Sequence, residues 1–216
     1  MKRKNNMKYK LSKKQKKENN DNDDGDNESS IKVVDNHIWF NASVCNESIQ
    51  SLIHTIHTKN NELKKIKNKF TNFVITSKPI FLHINSYGGD LFEAMAGIDA
   101  IINSDIRIYT IVEGTAASAA TLLSMVGERR FMTRHSYMLI HQLSSGMWGT
   151  MEELEDDQKN NKALMERLYE LYTGYTNLSK SQLKKILKKD IWWDSSKCVE
   201  VGLVDGIYKD DQEVDI

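Results

Sequence analysis

The sequence predicts an α/β fold in which parallel strands alternate with helices. The first observation is PIFLHINS at residues 79–86, a short apolar run that reaches a Gly-Gly turn and then the helical segment LFEAMAGIDAIINS. The second is that this order repeats at once, because the strand-like IRIYTIVEG is followed by the helix formers of TAASAATLLSMVG. Two consecutive strand–helix units predict parallel pairing with right-handed crossovers.

Composition bounds the size and the partners of this fold. The chain has 216 residues, 39% of them hydrophobic, and its 30 basic side chains balance 30 acidic ones. That size suits one domain with a real core. A net charge of zero gives no overall field that would attract nucleic acid or an anionic membrane, so neither is expected as a partner. No apolar run approaches the roughly 20 residues needed to cross a bilayer.

The two cysteines indicate a reducing compartment. Cys45 and Cys198 lie far apart and outside any CxxC or Cys/His cluster, so neither a disulfide framework nor a structural zinc site is indicated. The basic start of the chain has no apolar stretch behind it, unlike a secretory signal. We therefore expect a cytoplasmic protein.

Residues 1–30 differ from the rest of the chain. A lysine-rich half is followed by an acidic, Asn-rich half, with almost nothing that could be buried. Such a segment cannot offset its ordering entropy, which predicts a disordered charged tail at 1–30 before a domain at 31–216. The alternative is a basic arm that touches nucleic acid or a partner.

The other elements follow from hydrophobic periodicity. Residues 31–40 contain a strand, and 48–73 have apolar residues at helical spacing with a polar interruption near Asn60, which predicts one broken helix or two short ones. Short strands are expected at 129–132 and 136–141.

The last third of the chain is predicted to be mainly helical. After a glycine-containing loop, a long helix at 151–173 has a solvated acidic first half and becomes amphipathic only from Leu164. Ser179 and Asp194 are N-caps of two shorter helices, and a small strand at 203–208 ends the fold.

Residues 114–120, GTAASAA, carry the first candidate for chemistry. Ser118 lies among small residues where a strand leads into a helix, which permits close approach by a substrate. Unpaired N–H groups and the helix dipole at a helix N-terminus favour the negative charge that nucleophilic catalysis develops. The alternative is an ordinary helix start with a serine that makes local hydrogen bonds.

A serine nucleophile needs a base, and His141 is the best placed of six histidines. It ends the apolar strand SYMLIH and begins a loop, at the sheet edge where α/β proteins usually have their sites. The alternative is a surface histidine. His54 and His57 lie three apart on one helix and could chelate a metal, but no third ligand stands out, so a solvated helix face is expected.

Composition does not choose the carboxylate that would orient this base. Asp190 stands out modestly, because it follows the basic KKILKK and precedes the bulky 191–193, which could desolvate it. Lys188 and Lys189 offer the alternative of a solvated surface aspartate.

A Gly-Gly turn supplies a further element. At Gly88-Gly89 a backbone N–H can point at an oxyanion with no Cβ in the way, although the pair could also be only a tight connection. The turn matches neither GxGxxG nor GxxxxGK[ST], the patterns of nucleotide binders.

Together these segments resemble the Clp protease proteolytic subunit family, the ClpP-type serine peptidases. INSYGG is similar to that family's INSPGG, with Tyr87 in place of the usual Pro, and GTAASA is similar to its GxAASx nucleophile segment. MLIHQ resembles its MIHQ segment, and the terminal EVGLVD resembles its xxGLVD ending. The resemblance covers residues 31–208.

The resemblance implies the site and the fold. Counting back from the ending puts the family's catalytic aspartate on Asp190, beside Ser118 as nucleophile and His141 as base, with the backbone N–H groups of Gly89 and Ala119 as the oxyanion hole. The implied fold is the ClpP/crotonase type of stacked βαβ units. Its long helix would project as a handle between two stacked heptameric rings, which make a tetradecamer.

The resemblance also implies a function. It is that of a serine endopeptidase subunit that hydrolyses unfolded polypeptides inside a ring-shaped chamber and is fed by an AAA+ Clp unfoldase. No cofactor or metal is expected, since ATP would be used only by the unfoldase. Phe81 retains an aromatic where the family's chaperone-docking pocket has one, whereas His83 falls where another is usual.

Three other functions remain open at this point. The first is a phage-type, ClpP-related head maturation protease that works without an unfoldase. The second is a non-catalytic structural subunit of a mixed ring, and the third is a crotonase-like acyl-CoA enzyme without a serine nucleophile.

Overall fold

A computed structural model describes residues 31–69 and 78–209, so the predictions for residues 1–30 lie outside the described residues. The first elements along the chain are β1 (Ile31–Val34), β2 (His37–Phe40), α1 (Asn46–Lys69), β3 (Ile80–Ser86), α2 (Leu91–Ile102), β4 (Ile108–Ala117) and α3 (Ala119–Met125). They are followed by β5 (Arg129–Met132), β6 (Tyr137–Leu139), α4 (Met151–Tyr175), α5 (Lys180–Ile186), α6 (Ser195–Glu200) and β7 (Gly206–Ile207).

The strands form one mixed sheet in the order β1-β2-β3-β4-β5-β7, with β6 paired to the end of β4. The predicted parallel pairing of β3 with β4 is confirmed, and β2–β3, β4–β5, β4–β6 and β5–β7 are parallel as well. The first predicted strand is an antiparallel hairpin, β1–β2, that turns at Asp35. Because parallel strands end at the same edge, the ends of β3, β4 and β6 come together there.

The core lies between this sheet and helices α1, α2 and α3. Helix α2 contacts both α1 and α3, and α3 contacts β3 and β4. Side chains with no more than 1% exposure fill the contact, among them Phe40, Leu52, Leu82, Ile84, Val112 and Leu123. Burial of each such side chain contributes about 1.5–3 kcal/mol. The strand ends that carry the candidate residues are therefore held on a rigid support.

The predicted break in the first helix is wrong. Helix α1 runs without interruption to Lys69, and the rest of the predicted segment, 70–73, lies outside the described residues. Asn60 is 5% exposed, and its Oδ1 accepts hydrogen bonds of 3.1 Å from the hydroxyl of Ser104 and from the backbone N–H of Ile106. The polar residue thus ties the helix to the chain before β4 and does not interrupt it.

The predicted start of α3 is also wrong. Residues 115–117 continue strand β4 and pair with β6, and the helix begins only at Ala119. Alanine and threonine in this stretch allow a helix locally, but the ladder with β6 satisfies their backbone groups as a strand. Ser118 therefore lies at the turn itself.

Helix α4 divides into two parts. A capping box at Thr150 and Glu153 begins it, and its first half is largely solvent-exposed, as the sequence predicts. Leu168, Leu171 and Tyr172 are buried in the second half. Arg130 of β5 bonds to the carbonyls of Tyr175 and Gly202 and to the Asp205 carboxylate, so the helix end is fastened to the sheet.

None of the helices within the described ranges combines the length and the apolarity that crossing a bilayer requires. Both cysteines are free thiols.

We predict that Asn60→Ala lowers the free energy of unfolding by about 1–3 kcal/mol, because the Ile106 N–H is left buried without its acceptor. Asn61→Ala is the matched control, since Asn61 is the exposed neighbour on the same helix. Urea unfolding at one fixed protein concentration measures both variants. Equal stabilities of the two variants would show that the Asn60 contacts contribute nothing.

Candidate functional site

Ser118 lies at the turn between β4 and α3 in an unfavourable backbone conformation. Its φ of 53° is in the left-handed region, which costs free energy for a residue with a Cβ. Three hydrogen bonds hold it there. Its N–H donates to the Leu139 carbonyl at 2.9 Å, and its own carbonyl accepts from the N–H of Thr121 at 3.0 Å and from the Thr121 hydroxyl at 2.6 Å.

The Gly88-Gly89 turn packs directly against the Ser118 turn. Gly88 has a φ of 91°, and a Cβ added there would come within 2.5 Å of the Ala117 carbonyl and 2.7 Å of the Ser118 Cβ. Val44 fixes the turn from the other side, because its N–H donates to the Gly88 carbonyl and its carbonyl accepts from the Asp90 N–H, both at 2.8 Å. Only glycine permits this approach of two backbones.

Two backbone N–H groups are available beside Ser118. Within the described residues, the N–H of Gly89 has no hydrogen-bond acceptor. Ala119 is the first residue of α3, so its N–H has no partner inside the helix. The Ala119 nitrogen lies 2.9 Å from the position of a Cβ on Gly88, so the two turns bring both donors to one place.

Strand β6 positions His141, which follows it by two residues. The Leu139 carbonyl bonds to Ser118, and the next N–H after His141, that of Gln142, donates to the Leu187 carbonyl at 2.8 Å. Backbone bonds on both sides of His141 thus fix its place relative to Ser118.

The same strand brings Asp190 to the site. Met138 of β6 and Trp193 exchange two backbone hydrogen bonds, of 2.9 and 2.8 Å, in an isolated antiparallel bridge. The segment that contains Asp190 is thus fastened at one end to β6, through Trp193, and at the other to the loop after His141, through the bond from Gln142 to Leu187. Asp190 is exposed in the single chain, so the desolvation expected from 191–193 is not provided by the described residues.

Two cavities adjoin the Ser118 turn, and Ser118 and His141 line both. The first, of about 530 Å³, also contains Gly89 and Ala119 and has an apolar wall formed by Leu122, Leu164, Leu168 and Tyr172. The second, of about 480 Å³, is lined by Asp190, Tyr87, Leu187 and Trp192 as well. The fold thus gathers the other four residues that the sequence singled out, Gly89, Ala119, His141 and Asp190, around Ser118.

Ser118, His141 and Asp190 all line the second cavity. Among the described residues, no hydrogen bond joins any two of these three side chains. In enzymes without substrate such bonds are often long and tighten only in the complex.

The other histidine pair takes no part in this site. His54 and His57 are both exposed on α1, away from the residues that line the two cavities. Across the described part of the chain, no group of three or more His, Cys, Asp or Glu residues is arranged to hold a metal ion.

Sequence reasoning missed two residues at the site, Thr121 and Tyr172, and did not predict that Tyr87 and Trp192 form a pair. Tyr87 and Trp192 form an edge-to-face aromatic pair at 6.3 Å on the rim of the second cavity. Thr121 and Tyr172 are bonded to each other at 2.7 Å, and burial raises the pKa of Tyr172 to about 12. The signal for Thr121 was its place one turn after Ser118. No local signal marks Tyr172.

The sequence of this chain is similar to those of known proteins. The family model for Clp protease matches residues 63–211. The ATP-dependent Clp protease proteolytic subunit 2 of Treponema denticola is 32% identical over 140 residues, which are 64% of this chain and 70% of the relative. Proteolytic subunit 1 of Chlamydia trachomatis is 33% identical over 134 residues, 60% of this chain and 70% of the relative.

A third relative extends the same result. Proteolytic subunit 1 of Protochlamydia amoebophila is 32% identical over 142 residues, which cover 64% of this chain and 69% of that subunit. Since the family model spans more than half of the chain and these relatives align over more than two thirds of their length, the chain belongs to the Clp protease family, as a serine-type peptidase of the proteolytic-subunit kind.

Proposed function

We propose that this chain is a serine endopeptidase subunit that cleaves unfolded polypeptides inside a ring-shaped chamber and is fed by an ATP-dependent Clp unfoldase. The observation that carries the proposal is the position of Ser118. It is held at a strained turn beside Gly88-Gly89, on cavities that it shares with His141 and Asp190.

The proposed reaction is acyl transfer from a peptide to Ser118 and then to water. The Ser118 hydroxyl attacks the peptide carbonyl while His141 accepts its proton, and His141 then returns that proton to the leaving amine. Water, activated by the same imidazole, hydrolyses the acyl-enzyme. Asp190 orients the imidazole and stabilises its protonated form.

The oxyanion of each tetrahedral intermediate would accept hydrogen bonds from the N–H groups of Gly89 and Ala119. These donors are fixed by the two packed turns, so they need no reorganisation as charge develops. The apolar wall of the first cavity, with Leu122 and Leu168, supports binding of an apolar substrate side chain next to the scissile bond.

These steps need no cofactor and no metal, and ATP would be consumed only by the partner unfoldase. Cytoplasmic location is part of the proposal, and the two free thiols are compatible with a reducing compartment.

Members of the Clp protease family form oligomeric proteolytic assemblies with Clp ATPases. For this chain we propose two stacked heptameric rings, with α4 as the handle between them. Large apolar side chains are exposed in the loop just before that helix and in its first turn, where Trp148 is 99% and Met151 71% exposed and Met147 and Leu154 are also accessible. A second ring would remove this surface from water.

The unfoldase is proposed to dock at the aromatic face that contains Phe81. Phe81 stacks on His37 at 4.7 Å, and Trp39 stacks on His83 at the same distance. His83 is only 4% exposed and bonds at 2.6 Å to the partly exposed Glu113, so a half-buried polar pair lies within this face. The relatives are named as proteolytic subunits of an ATP-dependent protease, which favours neither the head maturation protease, nor the non-catalytic subunit, nor the acyl-CoA enzyme.

We expect Ser118→Ala to lower kcat/KM for an unstructured peptide by about 10³-fold or more, because the nucleophile is lost. It should also abolish labelling by a fluorophosphonate probe, with the labelled residue identified by mass spectrometry. Ser51→Ala is the control, since Ser51 is an exposed serine of α1 outside both cavities. Absence of labelling in an assembled wild-type protein would contradict the proposal.

Gly88→Ala is expected to lower kcat/KM by about 100-fold, because the new Cβ would displace the Ser118 turn from its position. Gly174→Ala is the matched control. A Cβ there meets nothing within 4 Å, and alanine is the better helix former in α4. Initial rates at equal concentrations of assembled protein measure the difference, and equal activity of the two variants would rule out a role for the packed turns.

We expect the replacement of both Met151 and Leu154 by lysine to separate the stacked rings. The two lysines place positive charges in the apolar surface that the second ring would cover. We expect mass photometry to report half the mass of the wild-type particle. Val34→Lys, which places a lysine at another exposed apolar position, should leave the double ring intact. A wild-type protein without a double ring, or a double variant that keeps it, would refute this assembly.

A further inference from the structure

A buried chain of hydroxyl groups connects α4 to the Ser118 turn. The hydroxyl of Tyr172 lies 2.7 Å from the Thr121 hydroxyl, which lies 2.6 Å from the carbonyl oxygen of Ser118. Tyr172 is 2% exposed and Thr121 is fully buried, so water does not compete for these bonds. The two residues are 51 positions apart in the sequence.

The chemistry of the three groups determines which of them donates in each hydrogen bond. A carbonyl oxygen can only accept, and a threonine hydroxyl has a single hydrogen, so Thr121 donates to Ser118. Tyr172 must then donate to Thr121. Burial raises the pKa of Tyr172 to about 12, so its donor proton is present throughout the neutral range.

The Ser118 carbonyl, which accepts the hydrogen bond from Thr121, belongs to the same peptide unit as the Ala119 N–H. That unit is trans and planar, so its C=O and its N–H point in opposite directions. Holding the carbonyl toward Thr121 therefore aims the N–H away from it. Two donors on the carbonyl, the Thr121 N–H and hydroxyl, also polarise the peptide and strengthen the N–H as a donor.

We propose that Thr121 and Tyr172 are positioning residues that orient and polarise the Ala119 N–H as an oxyanion donor. This inference rests on the proposed roles of Ser118 and Ala119. The proposal gives the second half of α4 a part in catalysis, because Tyr172 is the outermost hydroxyl in this series of hydrogen bonds. Tyr172 also lines the first cavity. Neither side chain needs to touch the reacting atoms.

The first test replaces the Thr121 hydroxyl by a methyl group of similar size. Thr121→Val should lower kcat roughly tenfold and leave KM within about twofold, because the oxyanion exists only in the transition state. Thr121→Ser keeps the hydroxyl and should stay within about threefold of the wild type. Thr55→Val, which removes a hydroxyl from α1, is the control and should be unchanged.

The second test uses a peptide aldehyde, which forms a hemiacetal with Ser118 and mimics the tetrahedral intermediate. The affinity of Thr121→Val for the aldehyde should fall by the same factor as its kcat/KM, while the KM for the peptide substrate stays nearly unchanged. Tyr172→Phe removes only the outer donor and should cause a smaller loss, of about threefold.

A double variant separates positioning from folding. Thr121→Val alone leaves the Tyr172 hydroxyl buried without an acceptor, so its melting temperature should fall. Adding Tyr172→Phe replaces both polar groups and should restore the melting temperature, but kcat should remain low. Recovery of kcat together with stability would show a purely structural role and overturn the inference.

The two proposals can fail separately. If the wild type is labelled at Ser118 by a fluorophosphonate and Thr121→Val is labelled at the same rate with unchanged kcat, only the present inference is wrong. If the assembled wild type is not labelled at Ser118, the proposed function is wrong, and with it the role of Ala119 as an oxyanion donor.

Discussion

The parallel pairing of β6 with the last three residues of β4 is the contact on which the site depends. Because of this pairing, residues 115–117 continue β4 although their sequence would allow a helix to begin there. The next backbone hydrogen bond, from the Ser118 N–H to the Leu139 carbonyl, holds the sharp turn at Ser118. The same strand leads two residues later to His141 and binds the Asp190 segment through Trp193. One short strand thus brings together three parts of the chain, because a strand has two edges and offers backbone bonds at both.

The strain at Ser118 is maintained by contacts that also position the two N–H groups proposed as oxyanion donors. A positive φ at a serine persists only where the surroundings determine it, here through Leu139, Thr121 and the packed Gly88. Those contacts leave the N–H groups of Gly89 and Ala119 beside the Ser118 turn and, among the described residues, without competing acceptors inside the turns. The unfavourable backbone conformation of Ser118 therefore lies next to the proposed oxyanion hole, whose donors are preorganised by the same contacts.

Helix α4 connects the site to the surface where assembly is proposed. Its second half lines the first cavity and reaches the Ser118 carbonyl through Tyr172 and Thr121, while its first half presents Met151 and Leu154 to solvent. Since α4 is one continuous helix, the proposed ring contact on its first half and the Tyr172–Thr121 hydrogen bond on its second half share one element.

The sequence by itself determined the strand–helix alternation, the parallel sheet, the long half-solvated helix and the segments that place Ser118 and His141, because these depend on local periodicity and on short motifs. It did not determine the continuous α1, the end of β4 or the start of α3, since Asn60 and residues 115–117 find their hydrogen-bond partners far along the chain. Composition left Asp190 open, and the family resemblance singled it out. Only the tertiary structure decided that Tyr172 reaches Thr121, because a bond across 51 residues exists only when α4 packs against α3.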